Sequence, residues 1–155
     1  MQARLEAQKV SPAAYQAMLG LENFVRKQSK LEPGLIQLIK MRASQINGCA
    51  YCIDMHSKDA RAEGETEQRL YALSAWEETP FFTDRERAAL ALTEAITLVR
   101  EGHVPDALYE RAKQSFSEEE LVNLTLAIIA INGWNRLAIT FRFVPGEYQP
   151  RKSNT

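Results

Sequence analysis

The chain has 155 residues, of which nineteen are basic and twenty acidic, so its formal net charge is only −1. This length predicts one domain, residues 1–155, that buries about two thirds of the surface its unfolded chain exposes. The balanced charge, without a Lys/Arg cluster, argues against a nucleic-acid or anionic-membrane partner. No apolar leader and no bilayer-length apolar stretch stands out, so we expect a cytoplasmic protein with no membrane partner.

Helical spacing of apolar residues, together with helix-ending residues, accounts for almost the whole chain. In chain order, the predicted helices run from Ser11-Pro12 to before Glu32-Pro33-Gly34, from Leu35 to Ile46, from about Cys49 to Glu63, from Thr66 to Trp76, from Thr83 to about Glu101, from Pro105 to Lys113, and from Ser117 past Ile131. Asn47-Gly48 and Gly64 are the expected stops on either side of the third helix.

Two helix starts carry a capping-box signature, in which Ser or Thr is followed three residues later by Glu. Thr83 and Glu86 form one of them, and Ser117 and Glu120 form the other. Only residues 139–144 hint at the alternation typical of a strand. The pattern therefore predicts an all-α, single-domain helical bundle of seven or eight helices.

The most apolar segment, residues 121–131, is hydrophobic on most faces of its helix and must be buried nearly all round. A central core helix and a helix in a subunit interface explain this equally well, so homo-oligomerisation is an expectation from pattern. The tail, residues 146–155, is expected to be mobile unless another subunit orders it.

Residues 47–56 hold both cysteines of the chain and one of its two histidines. If the segment is helical, Cys49, Cys52 and His56 fall within an arc of roughly 60° and face one cavity or cleft. Two thiols three residues apart can form a disulfide after a modest adjustment of the first helical turn. The motif favours a dithiol peroxidase or a thiol–disulfide oxidoreductase.

Spacing alone does not settle which cysteine attacks. The N-terminus of the helix stabilises a thiolate at Cys49, which we also expect to be exposed. His56 lies one turn after Cys52 and can take its proton. The dipole contributes about 1 kcal/mol, less than the roughly 2.7 kcal/mol that a two-unit drop in a thiol pKa requires, so another contributor is needed. The imidazole of His56 and a hydrogen bond from the second thiol to the first thiolate can together supply it. The balance slightly favours Cys49.

Two other uses of the motif remain open. A Cys-Cys-His zinc site needs a fourth ligand, for which only His103 is left. Alternatively, both cysteines are inert core residues, which leaves His56 as an unpaired polar group on the same face. We expect no metal and no bound organic cofactor. Glu94, in the middle of a helix, is expected to face solvent, although near the thiols it could serve as an acid of the site.

Residues 42–56, Arg-Ala-Ser-Gln-Ile-Asn-Gly-Cys-Ala-Tyr-Cys-Ile-Asp-Met-His, resemble the signature of the alkylhydroperoxidase D-like branch of the carboxymuconolactone decarboxylase family. Residues 57–61 and 130–138 are also similar to that branch, and the resemblance spans about residues 10–145. It implies an all-helical homo-oligomer, a trimer or hexamer, that reduces peroxides with thiols.

The resemblance also implies roles for individual residues. Cys49 and Cys52 are then the catalytic redox pair, and His56 belongs to the proton relay. In the peroxidases of the family, a glutamate one helix before the motif completes the relay, and Gln37 stands at the corresponding position. Tyr51 stands where well-studied members have a histidine. Gln37 can orient a water molecule or an imidazole but cannot take a proton, and Tyr51 is a second possible orienting residue.

The leading expectation is a peroxidase that acts on hydrogen peroxide or small organic hydroperoxides, with an external thiol or dithiol as reductant. One alternative is a disulfide carrier that passes electrons to another peroxidase. Another is a non-catalytic redox sensor, which the glutamine at residue 37 favours.

Overall fold

The structure of the chain, a computed structural model, describes residues 1–150. Over this range it is all-helical, with helices at Ala7–Val10 (α1), Pro12–Lys27 (α2), Pro33–Asn47 (α3), Ala50–Ala62 (α4), Glu67–Ala72 (α5), Asp84–Thr97 (α6), Val99–Gly102 (α7), Asp106–Lys113 (α8) and Glu118–Phe141 (α9), and a 3₁₀ helix at Leu73–Glu78. The predicted all-α fold, with the Cys-X-X-Cys motif at a helix N-terminus, is confirmed. The part of the predicted mobile tail at residues 151–155 lies outside the described residues.

Helix α3 lies at the centre of the bundle. It packs against α4, α6 and α9, and all of its side chains at residues 35–41 are buried. A helix enclosed on so many sides must bury polar side chains as well as apolar ones, and α3 buries Gln37, Lys40 and Ser44. These three residues are the polar side chains that α3 places inside the bundle.

Helix α9 crosses the same core. Leu124, Ile128 and Ile131 are completely buried, whereas Val122 and Ile129 remain exposed. By length and composition alone this 24-residue helix could cross a membrane, but 44% of its most apolar window is already buried inside the bundle. Its length and burial are those of a core helix with one face left uncovered.

The helix ends follow the local signals in the sequence. Thr83 Oγ1 accepts the Glu86 amide at 3.2 Å, and the Glu86 carboxylate accepts the Thr83 amide at 2.8 Å. Ser117 and Glu120 repeat this capping box with distances of 3.2 and 2.8 Å. Gly48 ends α3 with φ +69°, a conformation that glycine adopts without strain. Both predicted helix starts and this predicted stop are confirmed.

Three predicted boundaries differ from the structure. The prediction of strand-like alternation at residues 139–144 is wrong, because α9 continues to Phe141. The helix expected from Thr83 to Glu101 is divided at Leu98, whose φ and ψ of −101° and 34° are not helical. The segment expected from Thr66 to Trp76 changes from α-helix to 3₁₀ helix after α5. The spacing of apolar residues does not reveal where an α-helix breaks or changes to a 3₁₀ helix.

The end of the described chain is hydrogen-bonded to α4 of the same molecule. The Gly146 amide donates to Asp54 at 3.0 Å, and the Tyr148 hydroxyl donates to Asp59 at 2.7 Å. Lys58 donates to the carbonyls of Gly146 and Tyr148, each at 3.1 Å. These contacts bring Tyr148 to the edge of the cavity described below.

A network of side-chain amides, buried at Asn135 and half-buried at Asn47 and Asn132, joins the C-terminal end of α3 to α9. Asn47 Nδ2 donates to Asn132 Oδ1 at 3.0 Å and to Asn135 Oδ1 at 2.8 Å. Asn135, which is completely buried, donates to Ser44 Oγ at 3.0 Å, and Ser44 donates to the Lys40 carbonyl at 2.6 Å. The network fixes the backbone immediately before the Cys-X-X-Cys motif.

We expect Asn135→Ala to lower the free energy of unfolding by about 2–3 kcal/mol, because it leaves buried polar groups without partners and opens a small void. Urea unfolding followed by circular dichroism measures the change. The control is Asn23→Ala on the exposed surface of α2, for which we expect less than about 0.5 kcal/mol. Equal effects of the two substitutions would show that the network does not stabilise the fold.

Candidate functional site

The Cys-X-X-Cys motif lies at the start of α4. Gly48, in the left-handed region, turns the chain out of α3, and Cys49 then takes the N-cap position of α4. The Cys49 sulfur accepts a hydrogen bond from the Cys52 amide at 3.3 Å. Cys49 and Cys52 form a disulfide with their Cα atoms 5.3 Å apart. The sequence placed Cys49 in the first turn, whereas the structure places it one position earlier, as the cap.

The two cysteines differ in their access to the cavity of the site. Both are buried, with 1% of Cys49 and 2% of Cys52 exposed, so the expectation that Cys49 is exposed is wrong. Cys49 packs in an apolar cluster that includes Ile131 and Ala138 of α9. Cys52 lines the cavity, and Cys49 is not among the residues that line it. A small molecule in the cavity therefore meets Cys52 first.

His56 lies one helical turn after Cys52 and lines the same cavity. Only 4% of its surface is exposed. Its Nδ1 atom is 3.1 Å from Oε1 of Gln37, and Nε2 of Gln37 donates to Glu63 Oε1 at 3.0 Å. The structure thus brings together Cys52, His56 and Gln37, which the sequence singled out, and adds Glu63, which it did not.

Positive charges and burial keep His56 neutral. Burial lowers the pKa of His56 well below its usual value, and the nearby charges of Lys40 and Arg26 act in the same direction. Burial also lowers the pKa of Lys40, although its ion pair with Glu22 opposes that shift. Glu22 Oε2 is buried and has no hydrogen-bond partner among the described residues. A neutral imidazole has a lone pair on one ring nitrogen, which can accept a hydrogen bond or a proton.

Aromatic rings form much of the wall of this cavity, whose volume is about 350 Å³. The rings are those of Tyr15, Tyr51, Trp134, Phe143 and Tyr148. Tyr51 packs edge-on against Phe143 with the ring centres 5.4 Å apart, and Tyr15 packs in the same way against Trp134 at 5.2 Å. Burial raises the pKa of the Tyr51 hydroxyl, which therefore stays protonated at neutral pH.

Glu94 and His103 lie elsewhere. Glu94 accepts hydrogen bonds from Arg42 Nε and Trp76 Nε1, each at 2.7 Å, and is not among the residues that line the cavity. Glu94 is half-buried, with 29% of its side chain exposed, so it faces solvent only in part, and it is not an acid of this cavity. His103 caps α7 with φ 56° and is exposed.

The arrangement suits thiol–disulfide chemistry. A nucleophile that enters the cavity can attack Cys52 in the disulfide, and Cys49 then leaves as a thiolate. The amide at the N-terminus of α4 that donates to the Cys49 sulfur stabilises that negative charge. His56, one helical turn after Cys52, lines the same cavity. Cys52 is thus accessible from the cavity, and Cys49 accepts the hydrogen bond that suits a leaving thiolate.

Comparisons with known proteins agree with these features. A family model described as the carboxymuconolactone decarboxylase family matches residues 12–95, more than half of the chain. The uncharacterised protein YdfG of Bacillus subtilis (strain 168) is 47% identical over 139 residues, which cover 90% of this chain and 94% of YdfG.

Two crystal structures share the fold. One is a protein of unknown function from Agrobacterium tumefaciens, provisionally described as an AhpD antioxidant defence protein, with a TM-score of 0.91 and 45% identity over 95% of this chain and 100% of that one. The other is the alkylhydroperoxidase AhpD core of an uncharacterised peroxidase-related protein from Ralstonia eutropha JMP134. Its TM-score is 0.79 at 19% identity, over 90% of this chain and 74% of that one, and this likeness concerns the fold alone.

The buried, neutral His56 predicts how stability depends on pH. Because its pKa is lowered in the folded state, the unfolded chain binds more protons below a pH of about 6.5, so stability falls as the pH decreases through that value. One proton limits the slope to about 1.4 kcal/mol per pH unit. We expect the free energy of unfolding of His56→Gln to change less than that of the wild type between pH 7.5 and 5. Urea unfolding at each pH measures this free energy. His103→Gln is the control, and a wild-type slope retained by His56→Gln would contradict this prediction.

Proposed function

The chain belongs to the carboxymuconolactone decarboxylase family, and we propose that it is a thiol-dependent peroxidase. It reduces hydrogen peroxide or small organic hydroperoxides through a dithiol–disulfide cycle of Cys49 and Cys52. The observation that carries the proposal is that Cys52 and His56 line one cavity, and that Cys49, which does not line it, forms a disulfide with Cys52. An external thiol or dithiol in the cytoplasm supplies the electrons.

The first step takes place at Cys52. Neutral His56 accepts the thiol proton, and the thiolate attacks the terminal oxygen of the hydroperoxide. The O–O bond breaks, Cys52 becomes a sulfenic acid, and the departing alkoxide takes the proton back from His56. The imidazole ends the step as it began, and the hydroperoxide has become an alcohol.

The second step forms the disulfide. The Cys49 sulfur attacks the Cys52 sulfenic acid, an S–S bond replaces the S–O bond, and the hydroxyl group leaves with the Cys49 proton as water. Two electrons have then passed from the dithiol to the peroxide. The external reductant returns two electrons and two protons by attacking Cys52, and Cys49 leaves as the thiolate that the α4 amide stabilises.

The cavity is suited to organic hydroperoxides as well as to hydrogen peroxide. Its volume of about 350 Å³ lies in the range of small-ligand sites. Tyr15, Tyr51 and Trp134 provide apolar surface for an organic group, and the hydroxyl of Tyr51, whose pKa burial raises, is a protonated hydrogen-bond donor at neutral pH. We assign Tyr51 an orienting role on this ground, in place of the histidine found in related peroxidases.

The exposed face of α9 supports a second part of the proposal, a homo-oligomer. Val122 and Ile129 are 61% and 48% exposed and lie two helical turns apart, with the half-buried Leu126 between them. Apolar residues in this arrangement form a continuous stripe on one side of a helix. We propose that this stripe packs against another copy of the chain, in the trimer or hexamer that the family resemblance implies.

Single-turnover kinetics of cysteine variants test the peroxidase cycle. We expect Cys52→Ser to abolish hydroperoxide consumption, because it removes the attacking thiol. Cys49→Ser should consume one equivalent of hydroperoxide and stop as the Cys52 sulfenic acid. A dimedone adduct found by mass spectrometry identifies that species without ambiguity, since the chain has no third cysteine. Both variants should lose multiple turnover with a dithiol reductant.

The same experiment separates the alternatives. Rapid dithiol exchange with little peroxide consumption would indicate a disulfide carrier. A single oxidation that no dithiol reverses would indicate a sensor. A sulfenic acid on Cys49 in the Cys52→Ser variant, formed at the wild-type rate, would reverse the roles assigned to the two cysteines.

Substitution of the apolar stripe tests the oligomer. We expect Ile129→Lys to lower the mass in solution towards the 17.6 kDa of one chain, because burying a lysine in the interface is costly. Size-exclusion chromatography with light scattering measures the mass. Tyr71→Lys on α5, where the tyrosine is 74% exposed, is the control and should leave the mass unchanged. Equal masses for wild type and Ile129→Lys would place any interface elsewhere.

A further inference from the structure

Three side chains form a hydrogen-bonded series that leads away from the cysteines. His56 on α4 meets Gln37 on α3 at 3.1 Å, between Nδ1 and Oε1. Gln37 Nε2 continues the series to Glu63 Oε1 at 3.0 Å. His56 and Gln37 are buried, whereas Glu63, which caps the C-terminal end of α4, reaches the protein surface. The series therefore links a buried imidazole to an exposed carboxylate through one amide.

The carboxylate determines which way the amide points. An ionised carboxylate only accepts hydrogen bonds, and a glutamine amide has one accepting end and one donating end. Gln37 must therefore turn its NH₂ group to Glu63, because the opposite orientation would place two accepting oxygens against each other. Its carbonyl oxygen is then fixed towards His56.

The amide in turn determines the tautomer of His56. A carbonyl oxygen cannot donate, so the hydrogen bond between Gln37 Oε1 and His56 Nδ1 requires a proton on Nδ1. A neutral imidazole with its proton on Nδ1 has its lone pair on Nε2. Without the carboxylate, the Gln37 amide could rotate and donate to Nδ1, which would move the imidazole proton to Nε2 and leave no acceptor there.

We propose that Glu63 is a positioning residue of the peroxidase site, and that its carboxylate, acting through Gln37, holds His56 in the Nδ1–H tautomer so that Nε2 can accept the Cys52 proton. The catalytic consequence rests on the function proposed above, whereas the tautomer itself does not. Gln37 transmits the orientation but cannot take a proton. The proton that Nε2 accepts therefore stays on His56 until the departing alkoxide takes it.

Nuclear magnetic resonance of ¹⁵N-histidine-labelled protein tests the tautomer directly. The ring nitrogens of the two tautomers have different shifts and different long-range couplings to the ring protons. The chain has only two histidines, and His103→Gln assigns the signals of His56. In the reduced wild type at pH 7.5 we expect His56 to be almost wholly Nδ1–H. A wild-type spectrum dominated by the Nε2–H form would overturn the proposal.

Three variants probe the series. Glu63→Ala should populate the Nε2–H tautomer and slow Cys52 oxidation by about tenfold. Glu63→Gln keeps an accepting oxygen and should largely retain the wild-type tautomer. Gln37→Leu removes the link, so adding Glu63→Ala to it should cause no further change. The control is Glu67→Gln, a neighbouring exposed carboxylate paired with Arg61, which should resemble the wild type.

The pH dependence of Cys52 oxidation supplies a second measurement. The charged groups around His56 are Lys40 on α3, Glu22 and Arg26 on α2, and Asp59 and Glu63 on α4 and its cap. Loss of Glu63 should change the pH profile of the oxidation rate, which a merely structural role would not do. Circular dichroism checks that each variant is folded.

The outcomes remain distinct from those of the peroxidase test. If the wild type consumes no hydroperoxide but Glu63→Ala still shifts the tautomer, the proposed function fails and the role of Glu63 stands. If hydroperoxide is consumed and Glu63→Ala leaves both the tautomer and the oxidation rate unchanged, the role of Glu63 is overturned and the function stands.

Discussion

The turn between α3 and α4 is the constraint on which the rest of the site depends. Only Gly48 and Cys49 separate the two helices, so the chain must reverse within two residues. The left-handed conformation of Gly48 makes this possible, and α4 then begins at once with Cys49 as its cap. A turn longer by one residue would change which side chains of α3 face those of α4.

Burial gives this short motif its chemical character. Gln37 and Lys40 lie one helical turn apart on α3 and face the cavity with Cys52 and His56. In water, the charge of Lys40 would be screened and an imidazole would be protonated in part near neutral pH. Inside the bundle, desolvation and the buried cation both disfavour the imidazolium, so the ring of His56 is neutral and has a free lone pair on one nitrogen. In the proposed cycle, exclusion of bulk water would also protect a sulfenic acid until the second thiol reacts with it.

The features that the sequence predicted correctly are those that depend on residues close together in the chain. The stop at Gly48 and the common face of Cys52 and His56 need only local backbone geometry. The burial of Cys49 depends on α9, which lies about eighty residues later, and the contact between Gln37 and Glu63 joins residues 26 positions apart. No local pattern encodes such packing, and for the same reason the sequence did not predict the hydrogen bonds that Glu94 accepts from Arg42 and Trp76. Glu63 was visible in the sequence only as the last residue before a glycine stop.

The glutamine at residue 37 need not weaken the site. A carboxylate in direct contact with His56 would stabilise the imidazolium and could itself take the proton. An amide has neither effect, because it carries no charge and no basic site. In the proposed site it only transmits to His56 the orientation that Glu63 imposes on the Gln37 amide. A carboxylate at residue 37 would also lie against Glu63, and two neighbouring carboxylates do not both ionise readily. In the proposed cycle the base is His56 itself, whose ring burial keeps neutral by lowering its pKa. In the proposed site the glutamine is therefore compatible with an enzyme as well as with a sensor, and the carboxylate of Glu63 lies one hydrogen bond further from the imidazole than Gln37 does.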